Sequence, residues 1–157
     1  MKTIISCGSN PLPIIVDDDV YEWASQYKWI LCGGYPRRFY GGGKSIQLTR
    51  EMFGLKPDDK REVDHINRDI LDNRWENLRL ASRRENARNQ KVENREAKHS
   101  KFKGVTFLKR DGYWQAQTTF NGKSKYIGIF KDELDAARAY DEFAIKNYGE
   151  FARLNFA

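Results

Sequence analysis

The stretch Val63-Asp64-His65-Ile66-Asn67, continued by RDILDNRWENLRLASRREN over residues 68–86, sets one of only two histidines beside a carboxylate and then repeats asparagine at fixed later points. Asn77 follows His65 by twelve residues and Asn86 by twenty-one. Neighbours in a flat strand point to opposite faces, so Asp64 and His65 flank one phosphate only if the chain bends there. The polar run Asn67-Arg68-Asp69 supplies a bend. LDNRWENL then reads as a compact loop in which Asp72, Asn73 and Asn77 hydrogen-bond turn backbone. Leu78 to Leu80 read as a short strand with the two leucines on one face. Ser82 with Glu85 three residues later forms a capping-box pattern, and a helix starting there presents Asn86 one turn in. The expected local order is strand, loop, strand and helix.

This spacing resembles the His-Asn-His (HNH) nucleases of the ββα-metal fold, in the variant whose last ligand is Asn and which includes phage intron-encoded nicking endonucleases. The resemblance implies a metal-dependent phosphodiester hydrolase with one divalent cation per active site. Asp64 and Asn86 would hold the metal, His65 would act as general base, and Asn77 would brace the loop. A neutral imidazole near pH 7 suits the base. The carboxylate and amide oxygens suit Mg²⁺ or Mn²⁺ better than zinc. By the same resemblance, products would carry 5′ phosphate and 3′ hydroxyl. Asp-His dipeptides and Asn-rich turns also arise by chance, but three spaced polar positions agreeing with one local fold favour a site over a surface histidine. His99, in REAKHSKFK, is expected to be a solvated linker residue or at most a phosphate contact.

Charge points the same way. The 157 residues carry a formal net charge of +6, with pI near 9.3, and many aromatics. That favours a polyanionic partner. The excess is uneven: between Arg83 and Lys103 eight Lys or Arg face three Glu. Arg83, Arg84, Arg88, Lys91, Arg95 and Lys98 are therefore candidate phosphate contacts. Cys7 and Cys32 form no CxxC pair, so neither a zinc ribbon nor a disulfide framework is indicated. The opening MKTIIS lacks the apolar stretch of a signal peptide, and no run reaches transmembrane length. A cytoplasmic, membrane-free monomer without a small-molecule cofactor is the expectation.

Residues 1–53 read as a helix and antiparallel strands. Asp17-Asp18-Asp19 would cap a short helix, VYEWASQY, with Val20, Trp23, Ala24 and Tyr27 on one face. Two aromatic strands hinge at Gly33-Gly34, and Gly41-Gly42-Gly43 leads into a third, SIQL. Arg37, Arg38, Lys44 and Arg50 would line this sheet on a DNA side. The part also looks like the region before the HNH motif in phage homing-type proteins, many of which have a His where this chain has Thr49 before Arg50.

The last segment, 103–157, closely resembles the plant ethylene-response-factor (APETALA-type) DNA-binding domain. Gly104-Val105, Trp114, Tyr126-Ile127-Gly128 with Phe130, Ala136-Ala137-Arg138-Ala139-Tyr140-Asp141 and Leu154-Asn155-Phe156 carry the likeness, which implies a three-stranded antiparallel sheet packed on one helix. Alternation from Trp114 to Phe120 gives one packed and one polar face. Asn121-Gly122 is a two-residue hairpin turn. A helix from Glu133 puts Ala136, Ala137, Tyr140, Ala144 and Tyr148 on one side, with Gly149 as its stop. In the family the exposed sheet face enters the major groove. Carried over by position, that face includes Thr106, Leu108, Gln115, Gln117, Thr119, Ser124 and Tyr126, with Lys109, Arg110, Lys123 and Lys125 near phosphates. Most of the guanine-reading arginines of the plant domains are absent here.

The expected architecture is α+β: N-terminal elements at 1–53, a ββα-metal catalytic module at 54–90, a basic linker at 91–102 and the DNA-binding module at 103–157. The expected function is site-specific nicking or homing cleavage of double-stranded DNA. The alternatives are a non-catalytic transcription regulator that keeps the HNH fold as scaffold, and an RNA-directed enzyme.

Overall fold

The computed structural model describes residues 1–89 and 100–156. It divides into two compact units, Met1–Asn86 and Ala87–Ala157.

In the first unit, β1 (Lys2–Ile5) and β2 (Pro13–Val16) pair antiparallel, and β2 also pairs in parallel with the two-residue β7 (Asp72–Asn73). Alternation along β2 turns Ile14 and Val16 inward. They join Ile4, Val20, Ala24, Trp29 and Leu48 in one core, against which Leu71 packs. The segments read as 1–53 and 54–90 thus share one unit as far as residue 86. Trp29 is fully buried and satisfies its indole by donating to Ala24 O at 2.8 Å, as a buried Trp must.

Helix α1 (Asp18–Ala24) starts without the expected side-chain cap. Asp17 accepts instead from Trp75 N and Asp19 from Trp75 Nε1, fifty-eight and fifty-six residues away. Both carboxylates are thereby used for tertiary contact. Tyr27, assigned to the helix's apolar face, lies beyond its end and is exposed.

Strands β3 (Ile30–Cys32), β4 (Tyr35–Phe39) and β5 (Ser45–Gln47) form an antiparallel sheet in that order. Gly33 and Gly34 make a two-residue turn, both at positive φ, and a Cβ on Gly34 would lie 2.6 Å from Ile70 Cδ1. SIQL is shorter than expected as a strand, because Leu48 opens α2 (Leu48–Met52) and enters the core.

In the second unit, β9 (Val105–Leu108), β10 (Tyr113–Phe120) and β11 (Lys123–Phe130) form an antiparallel sheet with β10 in the middle. Helix α4 (Glu133–Tyr148) packs on it. Val105 and Ala116 meet Ala136 and Ala137, while Tyr140, Ala144 and Tyr148 form the adjoining cluster. Asp132 caps the helix by accepting from Leu134 N and Asp135 N. The closeness of the packing shows at Gly104, where a Cβ would lie 2.1 Å from the Tyr140 ring. Buried Asp141 accepts from Asn155 N, Asn155 Nδ2 and Phe156 N, and Asn155 Oδ1 accepts from Lys103 N. That network fastens both ends of the module to its helix.

Candidate active site

β6 (Glu62–His65) and β8 (Leu78–Ala81) make a two-stranded antiparallel ribbon. The register pairs Glu62 with Ala81, Val63 with Leu80, Asp64 with Arg79 and His65 with Leu78. Val63 and Leu78 bury with Leu55 against Met52 and Phe53. Period two therefore sends Asp64 and His65 to opposite faces of the ribbon. The bend expected at Asn67-Arg68-Asp69 is present, directly at the end of the strand. The chain turns immediately after His65, where Arg68 N donates to His65 O and Arg68 adopts φ 68°.

His65 is 5% exposed. Its Nε2 lies 3.2 Å from Asn73 Oδ1, while Asn73 Nδ2 donates to Ile70 O. Because the Asn73 amide nitrogen is committed to a carbonyl, its oxygen faces the imidazole, so Nε2 carries the proton and Nδ1 the lone pair. Burial pushes the His65 pKa below its ordinary value of 6.5, against the opposing pull of the Asn73 bond and of Asp64, Asp69 and Asp72. The Tyr35 ring sits beside it, 6.4 Å between centroids.

Asn77 ties the loop closed. Its Oδ1 accepts from Asn67 N at 2.9 Å, its Nδ2 donates to Asp72 O at 2.7 Å, and its main-chain oxygen accepts from Ile66 N. Asp72 accepts in turn from Asn67 Nδ2 and from Arg74 Nε and Nη2. The Arg74 bonds hold the Asp72 carboxyl below the usual carboxylate range.

On the other face, Arg79 donates from Nε and Nη2 to Asp64 Oδ2 at 2.9 and 2.7 Å. Ser82 and Glu85 form a reciprocal capping box, with Ser82 N donating to Glu85 Oε2 and Glu85 N to Ser82 Oγ. It opens α3 (Arg83–Asn89), and one turn in, Asn86 Nδ2 donates to Glu62 Oε2 at 2.5 Å. Glu62 precedes Asp64 by two and shares its face, so Asn86, Glu62, Asp64 and Arg79 form a polar row along one side of the ribbon. No group of three His, Cys, Asp or Glu able to hold a metal occurs among the described residues.

Residues 48–88, which span this ribbon, loop and helix start, match the HNH endonuclease family model. An uncharacterized HNH endonuclease of Acanthamoeba polyphaga mimivirus is 34% identical over 142 residues, covering 87% of this chain and 71% of that protein. The chain belongs to the HNH endonuclease family. Over 60 residues, 38% of the chain, it is also 43% identical to an AP2-like ethylene-responsive transcription factor of Arabidopsis thaliana and to the APETALA2-like protein 2 of Oryza sativa. It spans only 12% and 14% of those plant proteins' lengths.

Within this family member the remaining candidates fall into three groups. Arg38 and Arg50, both half-buried, bond to other parts of the fold. Arg38 forks onto Glu51 and lies over the Tyr27 ring, while Arg50 staples a loop by donating to the main-chain oxygens of Lys56, Asp59 and Arg61. Arg88 stacks on Tyr148, 4.3 Å from the ring centroid, and Arg37 donates to Ser45 Oγ. Lys44, Arg83, Arg84, Lys109, Arg110, Thr119, Lys123 and Tyr126 are exposed, Arg110 pairing with Asp111, and Gln115 and Gln117 are half-buried. Lys91, Arg95, Lys98 and His99 lie outside the described residues.

Sequence reading did not single out Glu62, Asn73 or Arg79 as parts of the site. Period two alone places Glu62 on the face of Asp64. Arg79 and Asn73 become partners only through strand register and loop closure.

Proposed function

We propose that this protein hydrolyses phosphodiester bonds of double-stranded DNA, with His65 as general base. The observation that carries the reading is His65 itself: buried, depressed in pKa so that its neutral, proton-accepting form prevails near neutral pH, and held in one tautomer by Asn73. Asn77 and Asp72 close the loop that holds Asn73, so the tautomer rests on a braced element. Asp64 presents its carboxylate under the control of Arg79.

A divalent cation of the family fits the donor set. Glu62 fixes the Asn86 amide by its nitrogen, and Asn86 Oδ1 accepts no hydrogen bond from any described residue. Asp64 and Asn86 would thus supply hard oxygens, the class that Mg²⁺ or Mn²⁺ takes. Such an ion, when bound, neutralises the charge developing at the phosphate and the leaving 3′ oxygen. Each His65 serves one strand, so nicking is the elementary act, and double-strand cleavage requires a second event. A ββα-metal identity for the ribbon and α3, an APETALA-type identity for residues 103–157, and a homing role all belong to this proposal. They draw on the residue pattern, the family match and the plant relatives.

The test is incubation of supercoiled plasmid with the protein and Mg²⁺ or Mn²⁺, followed by mapping of the ends. Relaxed circles bearing 5′ phosphate and 3′ hydroxyl are expected. Intact plasmid under every metal and sequence tried would leave the non-catalytic regulator as the better reading.

A further inference from the structure

The outward face of the C-terminal sheet has an uneven chemistry. Gln115 lies between Thr106 and Ile129, Gln117 pairs with Tyr126, Thr119 with Ser124, and Tyr113 with Leu108. Their alternates Val105 and Ala116 belong to the core under α4, so these side chains face away from the helix. A bulge strengthens the arrangement: the register steps from Ala116↔Gly128 to Gln117↔Tyr126, leaving Ile127 as an extra residue packed inward and Tyr126 turned out, 55% exposed. Neither Gln115 nor Gln117 has a side-chain hydrogen bond to any described residue, and no Lys or Arg takes part in these outward pairs. Lys109 and Arg110 sit at the turn that ends this face between β9 and β10, whereas Lys123 and Lys125 pair with Phe120 and Thr118 and so alternate to the helix side of the sheet.

A cationic end beside a neutral amide and methyl centre fits a duplex whose phosphates lie at the rims and whose base edges lie in the middle. In the major groove guanine offers two acceptors and is read best by a guanidinium. Adenine offers one acceptor and one donor, which a carboxamide matches with both its atoms, and thymine offers a methyl group for apolar contact. Gln115 and Gln117 supply two carboxamides two residues apart, and Leu108, Ile129 and the Thr106 and Thr119 methyls surround them. We propose that this face reads A·T base pairs through the major groove, with Gln115 and Gln117 as the specificity-determining residues. The inference rests on the reading of residues 103–157 as a DNA-binding module.

The test uses the full-length protein in EDTA, a random duplex library for selection, and anisotropy titrations of A·T-rich and G·C-substituted probes. Selection is expected to enrich a short A·T run. Gln115→Ala and Gln117→Ala should each lower the preference for A·T over G·C about ten-fold without changing the salt slope. Gln117→Arg should shift preference toward guanine. Enrichment of G·C pairs, or glutamine variants with unchanged discrimination, would overturn the proposal. Lys109→Glu and Arg110→Glu separate it from the reading beneath it. If they weaken binding to every sequence while the glutamine variants change nothing, the module docks on DNA and only the A·T inference fails. If neither set alters DNA binding, the module does not read DNA and both fail, with a protein partner as the better occupant.

Discussion

The ribbon of the candidate active site and the C-terminal module are held together in different ways. Around β6 and β8 the described apolar core is small, Leu55, Val63 and Leu78, and shape is kept by a chain of hydrogen bonds through Asn67, Asp72, Asn73, Arg74 and Asn77. The C-terminal module keeps its shape mainly by alanines and tyrosines packed under a sheet, with one buried polar network, around Asp141, tying its ends to the helix. A site that must fix a tautomer and a carboxylate needs directional bonds, because apolar contact does not orient an imidazole. A surface that only has to present side chains needs rigidity behind it, which small residues under a sheet provide. The ribbon should therefore fail in chemistry before it fails in folding, and the module the other way round.

The strongest break in that contrast is His65→Ala. Cleavage of plasmid should fall about 10²–10⁴-fold while DNA binding stays near that of the parent, since a positioned base is worth that much in rate. Wild-type cleavage by this variant would remove His65 as the base. Next comes Tyr140→Ala, which empties a buried position against Gly104 and Ala144. It should cost about 3–5 kcal/mol in the C-terminal module, comparable with other aromatic truncations, and show as lost site-directed binding and early melting. Loss of cleavage with unchanged melting would contradict the division of labour.

Asn77→Ala tests the brace with a smaller effect. It strips partners from Asn67 N and Asp72 O inside the loop, each bond worth about 1 kcal/mol net and more where the group is left unsatisfied. Melting should fall modestly while cleavage falls further, because Asn73 and with it the His65 tautomer lose their support. A loss of stability alone, with kcat intact, would make Asn77 a fold residue only.

What was legible in the sequence was local. The Ser82-Glu85 capping box, the Asn121-Gly122 hairpin with both residues at positive φ, and the alanine stripe of α4 each depend on a few adjacent residues and stand where the pattern puts them. What was not legible depended on register or distant closure. Asp17 and Asp19 left the helix cap for Trp75, Arg38 left the sheet surface for Glu51, and Asn86 found Glu62 across twenty-four residues. The placing of Asp64 and His65 lies between these cases. Period two in a strand implied opposite faces, and the turn at Asn67-Arg68-Asp69 stands where the polar run put it, directly after His65 at the strand's end.

The finest test of the contrast is in pH. His65 has a folded pKa below 6.5, mainly from burial, so its neutral form prevails above that value and the stability it contributes is present there, lost as pH falls through the folded pKa. The acid limb of kcat/KM should accordingly have its midpoint below 6.5. The Asn73 bond opposes burial by favouring the protonated ring, so Asn73→Ala should move the limb to still lower pH. The same substitution releases the tautomer, and the plateau rate should fall as well, because part of the neutral population would then carry its proton on Nδ1. A purely structural Asn73 would lower melting and leave the midpoint in place. A midpoint moving upward would mean that the charges of Asp64, Asp69 and Asp72 outweigh the desolvation that the loop imposes.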